Sequence, residues 1–270
     1  MPKLSVTIIT KNEATDIAAA LESVSWADER IVVDSGSTDD TVGIAVPLAN
    51  RVVVHEWRGY VAQKNYAASL ASHDWILSLD ADERVTPSLA AEIQQVLTQE
   101  PTHRGFRIPR VTWHLGRWIR TTDWYPDHQL RLYDRRSGRW VGRHVHEGVH
   151  IVGPVDRLRG ELQHFAYRDV AEHMDTIERY ATLAAQQMHE DGRRSTTARI
   201  AMHPPLAFFR NYVLKGGFLD GAPGLIVSRM NAYYVFLKFA KLWELSRVPG
   251  STVQGSRSEN REPRTENLEP

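Results

Sequence analysis

Residues 75–87 read WILSLDADERVTP, and the fold follows from how this stretch is parsed. The apolar run Trp75–Leu79 is too short for a helix and suits a buried strand. It runs into three acids, Asp80, Asp82 and Glu83, and then into Thr86 and Pro87. A threonine N-cap followed by proline at the first helical position starts a helix without help from those acids. In an extended segment residues i and i+2 point the same way, so Asp80 and Asp82 can face one cation.

Working outward, LSVTII (4–9), RIVVD (30–34) and RVVVHEW (51–57) also read as buried strands. Between them, Ile17, Leu21 and Val24 share one helical face, and Leu89, Ile93, Val96 and Leu97 share another. Alternation of strand and helix predicts an α/β fold, a parallel sheet with helices on its faces. Ligands of such sheets bind beyond the carboxyl ends of the strands. Those ends are TKNE (10–13), DSGSTDD (34–40) and DADE (80–83), so one crevice is expected to gather Thr10, Glu13, Asp34, Asp39, Asp80 and Asp82.

From residue 101 the texture turns aromatic and basic, and the turn signal RRSG between QLRLYD and RWVGRHVHEGV predicts antiparallel strands up to about 165. A helical pattern spans about 169–190. We divide the chain into 1–100, 101–200 as a second half of the same domain, 201–248, and a charged tail, 249–270, with almost nothing to bury and expected to be disordered.

Composition narrows the function classes. The 270 residues carry 33 Lys plus Arg against 33 Asp plus Glu, so no global basic field draws the chain onto nucleic acid. Cysteine is absent, which excludes disulfides and thiolate metal sites and agrees with a reducing cytoplasm. The opening MPKLSVTIITKNE lacks the pattern of a signal peptide, so export is not expected. The longest apolar stretch, GLIVSRMNAYYVFLKFAKLW (224–243), is broken by Arg229, Lys238 and Lys241 and does not read as a membrane span.

Two hard carboxylates with room for waters and phosphate oxygens suit Mg²⁺ or Mn²⁺ holding a diphosphate. VVDSGSTDDT (32–41) reads either as a ligand loop or as an ordinary strand-to-helix turn capped by Ser37, Thr38 or Asp39. It lacks the glycine spacing of dinucleotide folds, and no P-loop motif occurs, which counts against nicotinamide cofactors and P-loop ATP hydrolysis.

Four ordered motifs, TIITKNEA (7–14), VVDSGSTDDT, KNYA (64–67) and LSLDADE (77–83), resemble the inverting family 2 glycosyltransferases. That family has the GT-A fold, a Rossmann-like, nucleotide-sugar-binding mixed sheet with helices on both faces. The resemblance covers roughly residues 4–165. Within it PDHQLRLYDRRSGRWVGRHVHEGV (126–149) looks like the bacterial lipopolysaccharide-core β-glucosyltransferase branch.

The resemblance implies that residues 1–100 bind the donor and 101–200 the acceptor. Thr10, Glu13 and Asp34 would contact uracil or ribose, with Ser37, Asp39, Lys64 and Arg131 also at the nucleotide-sugar. Asp80 would face the ribose and the metal, and Asp82 would ligate the metal. The cofactor would be Mg²⁺ or Mn²⁺.

Inverting transfer also needs a general base beside the acceptor hydroxyl. Asp127 occupies the place where family members commonly carry the catalytic acid, and the alternative there is a turn residue after Pro126. Glu147 in HVHEGV is the second candidate base; the alternatives are a strand-end charge or a supporting partner. His144 and His146 share a strand face without a convincing zinc set, and His146 is taken as a third metal ligand or a diphosphate contact. Trp113, Trp118, Trp124 and Trp140 are read either as sugar-stacking platforms or as plain core.

Residues 201–248 mix aromatic with basic side chains and are expected to form C-terminal amphipathic helices that lie on a membrane, or else pack on the catalytic domain or a partner. The sequence therefore predicts a cytoplasmic enzyme, peripheral on the inner face of the cell membrane. Its donor would be a UDP-sugar, UDP-glucose foremost. The resemblance implies as acceptor a lipid-linked saccharide, an inner-core heptose of lipopolysaccharide. The competing readings are a polyprenyl-phosphate glycosyltransferase, a metal-dependent nucleotidyltransferase and a non-catalytic sugar-nucleotide-binding module.

Overall fold

In the computed structural model, which describes residues 2–143 and 146–248, β1 (Leu4–Thr10) is buried along all seven of its residues. In chain order there follow α1 (Ile17–Ser23), β2 (Glu29–Asp34), α2 (Thr41–Ala45), β3 (Arg51–Val54), α3 (Tyr60–Ser69), β4 (Trp75–Asp80), β5 (Glu83–Val85) and α4 (Pro87–Val96). The second half supplies β6 (Gly105–His114), β7 (Arg117–Ile119), β8 (Asp127–Asp134), β9 (Gly138–Arg143), β10 (His146–Ile151), β11 (Val155–Arg157) and β12 (Leu162–His164). Three helices close the described chain: α5 (Val170–Glu190), α6 (Thr197–Phe209) and α7 (Gly221–Arg247). The chain falls into two compact units, one from the residues up to Val111 with Asp127–Phe165, the other from Thr112–Pro126 with Ala166 onward.

The first unit holds the main sheet, in the order β3-β2-β1-β4-β8-β6-β12-β5, with β11 also paired to β6. Strands β3, β2, β1 and β4 are mutually parallel, whereas β8 is antiparallel to both of its neighbours, β4 and β6. The alternation of side chains sorts the core. Val6, Ile8, Leu77 and Leu79 pack with Ile17 and Leu21 of α1 and Leu89 and Ile93 of α4. On the other face Ile9, Ile31, Val33 and Ile76 meet Ala67 of α3, Tyr133 and Trp140. Helices thus cover both faces, as the mixed GT-A sheet requires. Truncating one fully buried isoleucine or leucine here, such as Ile8, costs about 2–5 kcal/mol.

Helix α4 begins as its sequence predicts, with Thr86 Oγ1 accepting the Leu89 N–H at 3.3 Å and Pro87 as the first helical residue. Gly160 lies against that first turn, and a Cβ there would stand 2.4 Å from the Leu89 Cα, so only glycine fits.

Two expectations are corrected. The stretch 51–57 is not a buried strand: β3 stops at Val54 and is half exposed, because it pairs only with β2 and forms the sheet edge. The strand after the RRSG turn does not pair with the one before it. β8 already has β4 and β6 as neighbours, so β9 pairs with β10 in a separate two-stranded sheet.

The second unit contains α5, α6 and α7 together with the end of β6, β7 and the short helical turn Thr122–Trp124. Asp169 caps α5 by accepting the Glu172 N–H at 2.8 Å. Asp123, nearly buried, ties its turn to the helices: it accepts from Lys215 Nζ at 2.6 Å, Asn211 Nδ2 at 2.7 Å, Asn231 Nδ2 at 3.0 Å and the Arg210 guanidinium. Beside it His114, Trp124, Tyr167 and His173 form an aromatic box, with Tyr167 and His173 stacked at 4.3 Å and the two histidines 3.3 Å apart, His114 Nε2 to His173 Nδ1. Burial pushes both imidazoles down, His114 to about 4 and His173 to about 3. No helix among the described residues is long and apolar enough to cross a membrane. The tail 249–270 lies outside the described residues.

Candidate active site

The parallel register sets three polar strand ends at one level: Thr10 is the partner of Asp34, and Ile9 is the partner of Asp80. This edge of the first unit is where the sequence predicts a ligand. Asp34, 1% exposed, is occupied with its own loop: Oδ2 accepts the Gly36 and Ser37 N–H groups at 2.8 Å each, and Oδ1 accepts the Ser37 hydroxyl. Ser37 Oγ in turn accepts the Asn12 N–H at 2.8 Å. Asp39 braces the same region through the Ala14 N–H at 3.2 Å and the Thr41 N–H at 3.1 Å, and the Glu13 N–H donates to Thr41 Oγ1 at 2.8 Å. The TKNE and DSGSTDD loops are therefore one hydrogen-bonded unit, with Thr10, Glu13, Asp34, Ser37 and Asp39 all within it.

A second group surrounds Asp80. Lys64 Nζ, on the fully covered face of α3, stands 3.1 Å from Asp80 Oδ1 and 4.3 Å from the centre of the Trp140 ring. Its neighbour Asn65 clasps the Trp140 backbone, donating to its carbonyl at 2.9 Å and accepting its N–H at 3.0 Å. On the other side Arg131 Nη2 lies 2.5 Å from Asp80 Oδ2 and 2.7 Å from Glu83 Oε1. Glu83 is completely buried; its Oε1 also accepts from Arg110 Nη1 at 3.2 Å, and Oε2 accepts the Asp80 N–H at 3.0 Å. Arg110 continues to Asp127, its Nη2 2.7 Å from Oδ2. A chain of charge thus runs Lys64, Asp80, Arg131, Glu83, Arg110, Asp127.

The two candidate bases sit at different points of this chain. Burial alone would raise the Asp127 carboxyl, but Arg110 beside it and hydrogen bonds from Gln129 and Arg110 hold it below the usual carboxylate value. Gln129 Nε2 donates to Asp127 Oδ1 at 2.6 Å, so both oxygens are engaged. Glu147 stands on β10 with Oε1 4.0 Å from Lys64 Nζ. Burial pushes its carboxyl up, Lys64 pulls it down, Asp80 adds to the rise, and the outcome is an acid above its ordinary value.

Asp82 points elsewhere, with Oδ2 3.4 Å from His164 Nε2 and its carbonyl accepting the Phe165 N–H at 3.0 Å. The side chain of His146, and His144 altogether, lie outside the described residues. Among the described residues no group of three or more His, Asp or Glu side chains is arranged to hold a metal ion. Of the tryptophans, Trp140 borders Lys64, Trp113 and Trp118 meet edge to face at 5.1 Å in the second unit, and Trp124 is buried in its aromatic box.

Residues 5–152 match the model of glycosyl transferase family 2. The chain belongs to that family. A curated relative, the lipopolysaccharide core biosynthesis glycosyltransferase LpsC of Rhizobium meliloti, is 32% identical over 253 residues, 90% of this chain and 94% of the relative. An uncharacterized glycosyltransferase of Rickettsia typhi is 31% identical over 91% of this chain and 88% of its own length. Among solved structures, the mannosyltransferase PcManGT of Pyrobaculum calidifontis, in complex with GDP-Man and Mn²⁺, shares the fold at a TM-score of 0.55, with 16% identity over 90% of this chain and 88% of that one.

In this glycosyltransferase Asp82 and His164 form a donor set of one hard carboxylate and one imidazole, both buried at the strand edge, which suits Mn²⁺ or Mg²⁺ with the remaining positions left to phosphate oxygens and water. Asp80 has Lys64 and Arg131 against its two oxygens. Sequence reasoning named neither His164, Arg110 nor a role for Glu83. His164 ends a three-residue strand that carries no motif, and Arg110 meets Asp127 only through the cross-strand register of β6 with β8.

Proposed function

We propose that this glycosyltransferase moves glucose from UDP-glucose, with inversion, onto a saccharide hydroxyl of a lipid-linked acceptor, an inner-core heptose of lipopolysaccharide. The observation that carries the reading is Glu147: a buried carboxyl of raised pKa at the strand edge, 4.0 Å from the lysine that pairs with Asp80. A base works best when its pKa approaches the working pH, and a carboxyl held above its ordinary value fits that need better than Asp127, which Arg110 holds below it. The lipopolysaccharide assignment leans on the name of the Rhizobium relative.

In this mechanism the Thr10–Glu13 and Asp34–Asp39 loops take the uracil and ribose, and Asp80 faces the ribose. Asp82 and His164 would hold Mn²⁺ or Mg²⁺, which would offset the negative charge on the departing diphosphate. Lys64 and Arg131 add fixed positive charge on the same side. Glu147 accepts the proton of the acceptor hydroxyl as its oxygen bonds to the anomeric carbon; the bond from that carbon to the diphosphate breaks, UDP leaves with the electron pair, and solvent later takes the proton from Glu147. Asp127 orients Arg110 and through it Glu83. The enzyme works in the cytoplasm, peripheral on the inner face of the cell membrane.

The test is UDP release across UDP-sugars with lipopolysaccharide precursors of defined truncation, with and without Mn²⁺ or Mg²⁺. Turnover is expected with UDP-glucose and a heptose-terminated precursor. Release of pyrophosphate instead of UDP would identify a nucleotidyltransferase, and transfer to a polyprenyl phosphate alone would displace the saccharide acceptor.

A further inference from the structure

Helix α6 contributes no buried residue, although it is thirteen residues long and rich in apolar side chains. Met202, Leu206 and Phe209, with Val213 just beyond its end, follow one another at spacings of four, three and four, which sets them on one face. All four are at least 44% exposed, and Leu214 and Leu219 in the turns that follow reach 70% and 67%. Scattered exposed apolar residues need no explanation, but a contiguous set on one helix and its outgoing turn marks an interaction surface.

Basic residues predominate around this set, with Arg210 and Lys215 paired to Asp123 and with Glu190 and Asp191 just ahead of Arg193. From 192 to 243 the chain has eight Lys and Arg and a single acid, Asp220, which is 3% exposed and bonded to Arg117 at 3.0 Å and Thr121 at 2.6 Å. Arg193, Arg194 and Arg199, just before and within the first turn of α6, are all exposed. A chain with no net charge thus places three exposed arginines beside this apolar stripe. Exposed apolar side chains next to the exposed Arg193, Arg194 and Arg199 complement a surface with negative headgroups over an apolar interior.

We propose that the face of α6 formed by Met202, Leu206, Phe209 and Val213, extended by Leu214 and Leu219, enters the headgroup region of an anionic phospholipid bilayer, with Arg193, Arg194 and Arg199 against lipid phosphates. The proposal deepens the reading of a lipid-linked acceptor by naming the surface that confines the enzyme to the acceptor's plane.

The test is vesicle flotation of the full chain. Phosphatidylcholine vesicles with and without phosphatidylglycerol are compared at low and high salt, for wild type and for the double variant Leu206→Ser/Phe209→Ser. Both positions are exposed, so folding should survive, and circular dichroism checks it. Wild type should float with the anionic vesicles at low salt, and the variant should bind on the order of a hundredfold more weakly. Equal binding to neutral vesicles, or a variant that floats like wild type, overturns the proposal. So does wild type that fails to float but sediments as a dimer which the same variant breaks, since the occupant is then a second copy. UDP release with a water-soluble acceptor saccharide, measured in parallel, should be the same for both proteins. Its absence in wild type sinks the proposed reaction and leaves the flotation result standing.

Discussion

Arg110 and Asp127 are cross-strand partners on β6 and β8, and the guanidinium closes on the carboxylate at 2.7 Å. That pairing separates the two candidate bases. Glu147→Gln should lower kcat by roughly 10²–10⁴ with little change in melting temperature. Asp127→Asn should chiefly lower the melting temperature, because it leaves Arg110 buried beside a neutral amide. Steady-state kinetics and thermal melts on both variants decide; abolished turnover in an Asp127→Asn protein of unchanged stability would return the base to Asp127.

The pH profile gives an independent check. A base acts when deprotonated, so kcat/KM falls as pH drops through its pKa. With Glu147 raised, the acid limb should lie above the ordinary glutamate value of about 4.3. With Asp127, which is lowered, activity should stay flat to below about 3.9. A limb at the higher position that vanishes in Glu147→Gln residual activity is the expected result.

Glu83 is buried between two arginines and also accepts the Asp80 N–H. Glu83→Gln should cost about 3–5 kcal/mol of stability, the usual penalty for leaving buried charge uncompensated. Urea unfolding measures it, and a loss under 1 kcal/mol would mean that Arg110 and Arg131 find other partners.

Asp82→Asn and His164→Ala should each weaken Mn²⁺ binding at least about tenfold, or 1.4 kcal/mol. Calorimetric titration of the metal with UDP present reads this directly, without turnover. Unchanged affinity in either variant would move the metal elsewhere.

The histidine pair sets an acid limit on the second unit. Unfolded imidazoles protonate near 6.5, whereas folded His114 and His173 do so only near 4 and 3. Below 6.5 the unfolded state binds more protons, so stability is full above that pH and falls as pH drops toward 4, by roughly 1.4 kcal/mol per unit for each histidine. Urea midpoints between pH 7 and 4 should show this slope, and His173→Phe should flatten it.

Much of the sheet was legible because its strands and helices are continuous periodic runs: LSVTII, RIVVD and WILSLD lie within one residue of β1, β2 and β4. The strand-end carboxylates were legible for the same reason, since a strand's end is a local property. What stayed hidden depends on pairing. The Arg110–Asp127 contact requires knowing that β6 and β8 are neighbours and in which register, across a bulge between Phe106 and Arg107. Glu83 looks locally like one acid too many, and only the arrival of Arg131 and Arg110 from later strands gives it partners. Pairing of β9 with β10 was missed because a turn signal says that the chain reverses, not which strand it then meets.

Lys64, Asp80, Arg131, Glu147 and His164 come from five different elements, the last of them encoded a hundred residues after the first. During synthesis the parallel strands that carry Asp34 and Asp80 emerge early, whereas Arg131, Glu147 and His164 follow in that order, the last of them with β12. Until β8 emerges, Asp80 has Lys64 beside it but lacks Arg131. On the proposed donor site, a nascent chain arrested before Leu162 would hold the strands of that edge without His164, so nucleotide-sugar binding is expected to report completion of the unit and not merely its nucleation.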